Sequence, residues 1–139
     1  PLSLSAFKEY PMEIAEVASM SMELFTMNHW QAFFDNTHDL NRAQEHQLER
    51  TITIFPWIAI IDKFQHWVYE NPTHSIEERT QAWTSIAKEF STNSIDYSGL
   101  DQYREIGWQR QLHLFEVPFY YIEYGRHLNL CTSPPRPRR

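Results

Sequence analysis

Three glutamates near the start of the chain have the spacing of side chains on one face of a helix. Glu13 and Glu16 are three residues apart, and Glu23 follows seven residues after Glu16. A carboxylate on such a face can ligate a metal ion, and the small side chains of Ala18 and Ser19 would let another group approach it closely. The same spacing fits the solvated face of an amphipathic helix, which is the commoner arrangement. Spacing alone leaves both interpretations open.

A second group with chemical potential consists of aromatic rings near the other end of the chain. His113, Tyr120 and Tyr124 follow three- and four-residue steps through Val117, so a helix would place their rings along one face. Ring N–H and hydroxyl groups in a row can donate hydrogen bonds to an oxygen that becomes negative during a reaction. An aromatic stripe in a core, with its hydroxyls bonded to the backbone, has the same spacing. Here too both interpretations stay open.

The motifs of several enzyme classes are missing from the sequence. There is no Gly-rich phosphate loop and no G-x-S-x-G elbow, which excludes kinases, Rossmann enzymes and α/β-hydrolases. No two histidines have the HExxH spacing of a zinc-binding helix. The single cysteine, Cys131, excludes a disulfide framework and a multi-thiolate metal site. Any chemistry must therefore come from the carboxylates and the rings.

Composition and charge indicate a folded, acidic protein. The 139 residues carry 18 acidic and 12 basic side chains, a net charge of −6, and 42% of them are hydrophobic. An acidic chain without a basic stripe argues against nucleic acid as a partner. No apolar run is long enough to span a membrane. We therefore expect a soluble, cytoplasmic protein that binds neither nucleic acid nor a membrane.

The apolar pattern predicts an all-α protein. Gly occurs only three times, which disfavours a turn-rich β fold. Pro56 should kink or interrupt the second of the predicted helices, and Pro118 should interrupt the last. Ser75 and Glu78 have the spacing of a capping box at the start of the third. The predicted helical regions are residues 12–34, 39–70, 76–90 and 100–124, with a loop at residues 91–99.

Two long segments resemble one peptidase family. Residues 11–24, PMEIAEVASMSMEL, resemble the glutamate-bearing helix of the oligoendopeptidase F family, whose relatives include thimet oligopeptidase. Residues 108–125, WQRQLHLFEVPFYYIEYG, follow the C-terminal part of that family, as do the shorter segments 55–59, 62–67 and 77–79. The resemblance covers roughly residues 10–125 and keeps the order of the family. It implies that residues 1–125 are the multi-helix C-terminal portion of a thimet-type metallopeptidase catalytic domain.

The resemblance also implies a role for each group of side chains. Glu16 is similar to the third zinc ligand of the family, which completes a tetrahedral site with two histidines on an upstream HExxH helix. His113, Tyr120 and Tyr124 are similar to the groups that hydrogen-bond the oxyanion when water attacks the peptide carbonyl. Tyr121 is adjacent and could take either tyrosine role. The family cuts short oligopeptides, so an oligopeptide is the implied substrate and zinc the implied cofactor of the parent enzyme.

The HExxH helix is not among these 139 residues, and this limits what the chain can do alone. A catalytic zinc needs three protein ligands and an activated water. We therefore expect that the isolated chain binds no zinc at this site and hydrolyses no peptides. Residues 1–5 show neither an initiator methionine nor a secretion signal, which is compatible with a chain that begins inside a longer protein.

The family pattern stops after Gly125. Residues 126–139 hold four arginines, several prolines and no acid, which predicts an atypical, disordered tail. Without its neighbouring helices the chain should expose apolar faces in residues 12–34 and 55–67, and such faces drive association. We expect either self-association or binding to the missing N-terminal half.

A non-catalytic helical interaction module is the alternative to a piece of a peptidase. Such a module would keep the helices and use their apolar faces to bind a partner. The coding sequence immediately upstream distinguishes the two hypotheses, because only the peptidase requires an in-frame HExxH there.

Overall fold

Helices make up the regular structure of residues 15–92 and 95–126, which are the residues that the computed structural model describes. No strand occurs in this part of the chain, so the all-α prediction is confirmed. The helices are α1 (Ala15–Thr26), α2 (Thr37–Glu70), α3 (Ile76–Phe90), α4 (Asp101–Glu105) and α5 (His113–Glu116). Two 3₁₀ helices, Met27–Ala32 and Gly107–Arg110, follow α1 and α4, and residues 122–126 are also helical.

The described residues form two compact units. The first contains residues 15–52 and 123–126, and the second contains residues 53–122. The boundary therefore lies within the length of α2. Glu13 and residues 127–139 lie outside the described residues; of the predicted disordered tail, residues 126–139, only Arg126 is described, and it is helical.

The first helical region is shorter than its apolar pattern predicts. The spacing favours a helix through residue 34, but α1 ends at Thr26 and the chain continues as a 3₁₀ helix. The Thr26 hydroxyl donates to the backbone carbonyl of Met22 at 2.8 Å and accepts from Trp30 Nε1 at 3.3 Å. A threonine that bonds back to the preceding turn competes with regular helical bonding. Tightening into a 3₁₀ turn is a common way for a helix to end.

Helix α2 is long because its start is capped and its end is blocked. The Asn36 side chain accepts a hydrogen bond from the Asp39 N–H at 2.9 Å, which satisfies a donor that has no helical partner. At the other end, Asn71 and Pro72 stop the helix after Glu70, as the sequence predicts.

Pro56 lies inside α2 without ending it. Of the two outcomes predicted for this residue, the interruption does not occur. Proline has no N–H to donate to the carbonyl of Ile52, so one hydrogen bond of the helix is missing. The helix continues because the next turns are held by packing, since Ile58, Ile61 and Phe64 are all buried.

The core of the second unit lies where α2 meets α3. Ile61 and Phe64 of α2 pack with Trp83 and Ile86 of α3. The rings of Phe64 and Trp83 meet edge to face with centroids 5.1 Å apart, a favourable geometry for aromatic pairs. Contrary to the exposed apolar face predicted for residues 55–67, Ile58, Ile60, Ile61 and Phe64 are buried, whereas Phe55 is 41% exposed.

Helix α3 agrees with its sequence signals. Ser75 Oγ accepts from the Glu78 N–H at 3.2 Å, and Glu78 Oε2 accepts from the Ser75 N–H at 2.8 Å. This reciprocal pair is the predicted capping box. The helix ends at Phe90, also as predicted.

The region after residue 100 is more broken than predicted. Instead of one helix with an interruption near Pro118, it contains α4, a 3₁₀ helix, α5 and a turn. At Gly107, an added Cβ would lie 3.3 Å from the Trp83 ring, a tight contact that would require the ring to shift slightly. Phe119 has a φ of 60°, a left-handed conformation that ends any helix through Pro118.

Candidate functional site

The carboxylate of Glu16 is held by two hydroxyl groups within the first unit. Ser19 Oγ, one turn further along α1, donates to Glu16 Oε2 at 2.9 Å. Tyr124, which lies in the helical residues 122–126, donates from its hydroxyl to Glu16 Oε1 at 3.3 Å. Each oxygen therefore accepts a hydroxyl, and the half-buried carboxylate has a fixed orientation. Hydrogen bonds of this kind orient carboxylates that ligate metals.

Glu23 is engaged differently from Glu16. Its Oε2 accepts a hydrogen bond at 2.9 Å from Nε2 of Gln47, an exposed contact between α1 and α2. A second bond between these segments runs from Gln44 Nε2 to the carbonyl of Met27 at 3.1 Å. Glu23 thus contributes to helix packing in this unit.

The second group of predicted site residues meets in the second unit. The ring of His113 lies parallel to that of Tyr120, with an interplanar angle of 4° and centroids 6.2 Å apart. Tyr121 approaches His113 with its edge, at 4.9 Å between centroids. Three polar rings therefore share one small region.

A glutamine determines which nitrogen of His113 carries the proton. Gln111 Nε2 lies 2.6 Å from His113 Nδ1, and Gln111 Oε1 accepts from Trp57 Nε1 at 3.1 Å. Because the indole N–H can only donate, the amide must present its oxygen to Trp57 and its NH₂ to His113. Nδ1 of the neutral imidazole is then an acceptor, and the proton lies on Nε2. The hydrogen-bond donor of the neutral His113 ring is therefore Nε2.

Burial raises the pKa of the Tyr121 hydroxyl above its ordinary value, and a hydrogen bond from Trp57 opposes this increase in part. A raised phenol pKa keeps the hydroxyl protonated at neutral and mildly alkaline pH. Tyr121 is therefore a hydrogen-bond donor over the range in which most enzymes work.

The turn that carries Tyr120 and Tyr121 is attached to α2 by a buried side chain. Gln65 is 3% exposed, and its Oε1 accepts from the Phe119 N–H at 2.9 Å. The Phe119 ring lies 5.0 Å from His66 and 5.1 Å from Tyr69, between centroids. These contacts hold Phe119 in its left-handed conformation. Sequence reasoning missed Gln65, although a glutamine within an apolar helical run was a signal that could have indicated it.

The geometry corrects one part of the sequence interpretation. Spacing predicts that a helix stacks His113, Tyr120 and Tyr124 on one face, but α5 ends at Glu116 and the chain then turns. His113 and Tyr120 meet because the turn brings the second ring back to the first. Tyr124 belongs to the first unit, as Glu16 does, and it contacts Glu16 there. A cleft shared by all four residues stays a prediction.

The family model for peptidase family M3 matches residues 3–133. The chain belongs to peptidase family M3. No curated protein and no solved structure matches it. The match confirms the resemblance to thimet-type peptidases, and it places the chain among metallopeptidases that generally depend on zinc. Membership of the oligoendopeptidase F subfamily stays a prediction.

The donor set of this M3 chain fits one ligand of a zinc ion. Within residues 15–92 and 95–126, no group of three or more His, Cys, Asp or Glu side chains could hold a metal ion. Glu16 offers one oriented carboxylate, which is suitable chemistry for zinc, but a catalytic site uses three protein ligands. Further ligands would have to come from other residues.

A search for membrane-spanning segments covered the same part of the M3 chain. No helix there is both long enough and apolar enough to cross a bilayer.

Proposed function

We propose that this chain carries one wall of the active site of a zinc-dependent M3 oligopeptidase. Glu16 is the proposed metal ligand, and His113, Tyr120 and Tyr124 are the proposed catalytic residues. The observation that carries the proposal concerns the carboxylate of Glu16. The hydroxyls of Ser19 and Tyr124 each donate a hydrogen bond to one of its two oxygens. Residues 16 and 124 are far apart in sequence, so their contact is a product of the fold.

The proposal assigns the metal and the donors separate tasks. Zinc, when bound, would supply Lewis acidity towards the peptide carbonyl and the attacking water. His113 Nε2–H and the Tyr120 hydroxyl would donate to the carbonyl oxygen as negative charge develops on it. Stacking with Tyr120 and the bond from Gln111 hold the imidazole in place for this donation. Preorganised donors stabilise a transition state because they need not reorient during the reaction.

Tyr124 has a more specific task in this proposal. Its proton points to Glu16, so its first effect is to orient the ligand carboxylate. Donation to a substrate oxygen would require that the hydroxyl turn away from Glu16. Tyr121, whose hydroxyl stays protonated, is the alternative donor in the second unit.

The proposal includes the remaining properties implied by the resemblance. The two other zinc ligands and the general base would come from an HExxH helix outside these residues. The substrate would be a short oligopeptide in the cytoplasm, and the isolated chain would be inactive. Measurement of zinc and of quenched-peptide hydrolysis in the desalted 139-residue chain tests the last point, and stoichiometric zinc with turnover would contradict it.

The decisive experiment uses a longer protein that extends upstream of these 139 residues. The chain is produced together with the coding sequence immediately upstream, and zinc content and peptide hydrolysis are measured for the parent and for Glu16→Gln. We expect Glu16→Gln to lose zinc and at least about 100-fold in kcat/KM, since even residues that only support a ligand cost about 10–100-fold. Glu23→Gln is the matched control on the same helix and should retain both properties. Zinc retained in Glu16→Gln, or an upstream frame without HExxH, overturns the proposal.

A helical interaction module is the second candidate, and exposed apolar side chains of the first unit favour it. Phe25, Phe33 and Ile52 are 71%, 80% and 70% exposed. Large exposed apolar groups commonly indicate an interaction surface. The proposed partner is a second copy of the chain or the N-terminal half of the parent. A monodisperse monomer in light scattering at micromolar concentration would count against self-association.

A further inference from the structure

The second unit contains a cavity that the proposed peptidase site does not use. It has a volume of about 560 Å³ and lies where α2, α3 and α4 approach one another. This volume is within the range of about 300–1,000 Å³ that is usual for small-molecule sites. None of Glu16, His113, Tyr120 and Tyr124 lines it, so an inference about it does not depend on the proposed function.

The walls of the cavity are mainly apolar, although five hydroxyl-bearing residues also line it: Thr53, Ser91, Thr92, Tyr97 and Tyr103. Trp57, Trp83 and Phe90 line it. The Trp83 N–H donates to the carbonyl of Arg104 at 2.8 Å, and the Trp57 N–H donates to Gln111 at 3.1 Å. Because both indole donors are already used, the rings contribute mainly apolar surface.

Two arginines give the cavity a positive charge in an acidic protein. Arg104 and Arg110 both line it. The Arg104 guanidinium lies over the ring of Tyr97, 5.1 Å from the centroid, which holds it at the wall. Within residues 15–92 and 95–126, neither arginine forms a salt bridge with a carboxylate. A carboxylate from outside would be the natural complement, since arginine binds carboxylates through charge-assisted hydrogen bonds.

We infer that this cavity binds a medium-chain alkyl carboxylate. The alkyl chain would lie against Trp57, Trp83 and Phe90, and the carboxylate would pair with Arg104 and Arg110. The ligand class follows from the combination of a mainly apolar wall with two guanidinium-bearing residues in the same lining.

Binding can be followed by the fluorescence of the tryptophans in the cavity wall. Decanoate is titrated into the full chain, with decanol and decylammonium as ligands of the same alkyl length and different charge. We expect decanoate to bind at least about tenfold more tightly than either, the ratio that corresponds to one good charge-assisted hydrogen bond. Equal binding of decanoate and decylammonium would overturn the inference.

Variants test the two halves of the site separately. Arg110→Gln and Arg104→Gln should each weaken decanoate about tenfold and leave decanol unchanged. Lys88→Gln, an exposed cation on α3 outside the cavity lining, is the control and should change neither. Ala87→Leu, which places methyl groups in the cavity, should weaken both ligands. Circular dichroism of each variant confirms that it is folded.

A macromolecular occupant is the competing outcome. If decanoate does not bind and light scattering shows self-association that Arg110→Gln abolishes, the cavity is an interface between copies and the inference is wrong. If Lys88→Gln weakens decanoate as much as Arg110→Gln does, the effect is one of overall charge and the inference is also wrong.

Discussion

The two compact units bury very different kinds of side chain. In the second unit, six apolar side chains are buried, and they come from α2 and α3. In the described part of the first unit, the only buried residue is Glu123, whose carboxylate accepts a hydrogen bond from Arg126 at 2.9 Å. The second unit thus has an apolar core, whereas the described first unit is held mainly by polar contacts such as those of Glu16 and Glu23.

This difference implies that the unit that contributes most of the stability is not the unit that holds the proposed metal ligand. Burial of apolar surface is the main favourable contribution to folding, so most of the chain's stability should reside in the second unit. The first unit holds the proposed metal ligand and several exposed apolar side chains. A region with few buried apolar contacts opens at low free-energy cost unless a partner covers it. The predictions below test this contrast, beginning with the largest effect.

Removal of the Trp83 ring from the core should destabilise the second unit more than any other change considered. Trp83→Ala should lower the free energy of unfolding by about 3–5 kcal/mol, the usual cost of an aromatic-to-alanine change in a core. Phe25→Ala, at an exposed ring of the first unit, should change it by less than about 0.5 kcal/mol. Urea unfolding followed by circular dichroism gives both values. Equal losses in the two variants would contradict the contrast between the units.

Replacement of the buried Gln65 should lower the stability less than loss of the Trp83 ring. Gln65→Leu leaves the Phe119 N–H without its acceptor, at a cost of about 1–3 kcal/mol in stability. Part of this cost is offset because leucine also removes the buried Gln65 Nε2, which has no hydrogen-bond partner among the described residues. The near-ultraviolet circular dichroism of the tyrosines should change as well, because Phe119 precedes Tyr120 and Tyr121. Gln81→Leu, at an exposed position of α3, controls for the substitution itself. An unchanged tyrosine signal in Gln65→Leu would show that Gln65 does not position this turn.

Loss of the capping box should give a moderate effect. Ser75→Ala removes the acceptor of the Glu78 N–H and should cost about 1 kcal/mol. Ser85→Ala, in the middle of the same helix, should be neutral or slightly stabilising because alanine has the higher helix propensity. Thermal unfolding of the two variants measures the difference. If Ser85→Ala proved the more destabilising of the two, the cap would not be the stabilising feature.

The smallest expected effect concerns alkaline pH. Burial raises the pKa of Tyr121 in the folded chain above its ordinary value of about 10. The unfolded chain therefore loses this proton first, so the associated stability is complete below about pH 10 and declines as the pH rises towards the folded pKa. Tyr121→Phe should lessen that decline, and Tyr103→Phe, at an exposed ring, should not. A decline between pH 9 and 12 that is identical in the two variants would contradict the assignment.

Local signals predicted helices well where they act within a few residues. The capping box at Ser75 and the Asn71-Pro72 stop defined the start of α3 and the end of α2 correctly, because each depends on atoms within one helical turn. The continuation of α2 through Pro56 was harder to predict. It depends on packing against α3, which the sequence of α2 alone does not contain.

The candidate site depended on contacts that no local pattern shows. The contact of Glu16 with Tyr124 and the attachment of Phe119 to Gln65 join residues more than fifty positions apart. Helical spacing correctly predicted that His113 and Tyr120 lie together, but the predicted reason was wrong. A turn, and not a continuous helix, aligns the two rings. The resemblance to a family indicated these residues because it reflects a whole fold. Gln65 and Gln111 escaped notice because neither amide belongs to a catalytic motif.

The hydrogen bond that Pro56 removes has a mechanical consequence. The carbonyl of Ile52 lacks its usual donor four residues on, and the boundary between the compact units falls directly after Ile52. The long helix therefore lacks one backbone hydrogen bond close to the point where the chain passes from one unit to the other. An α-helix bends most easily at a turn that lacks its backbone hydrogen bond.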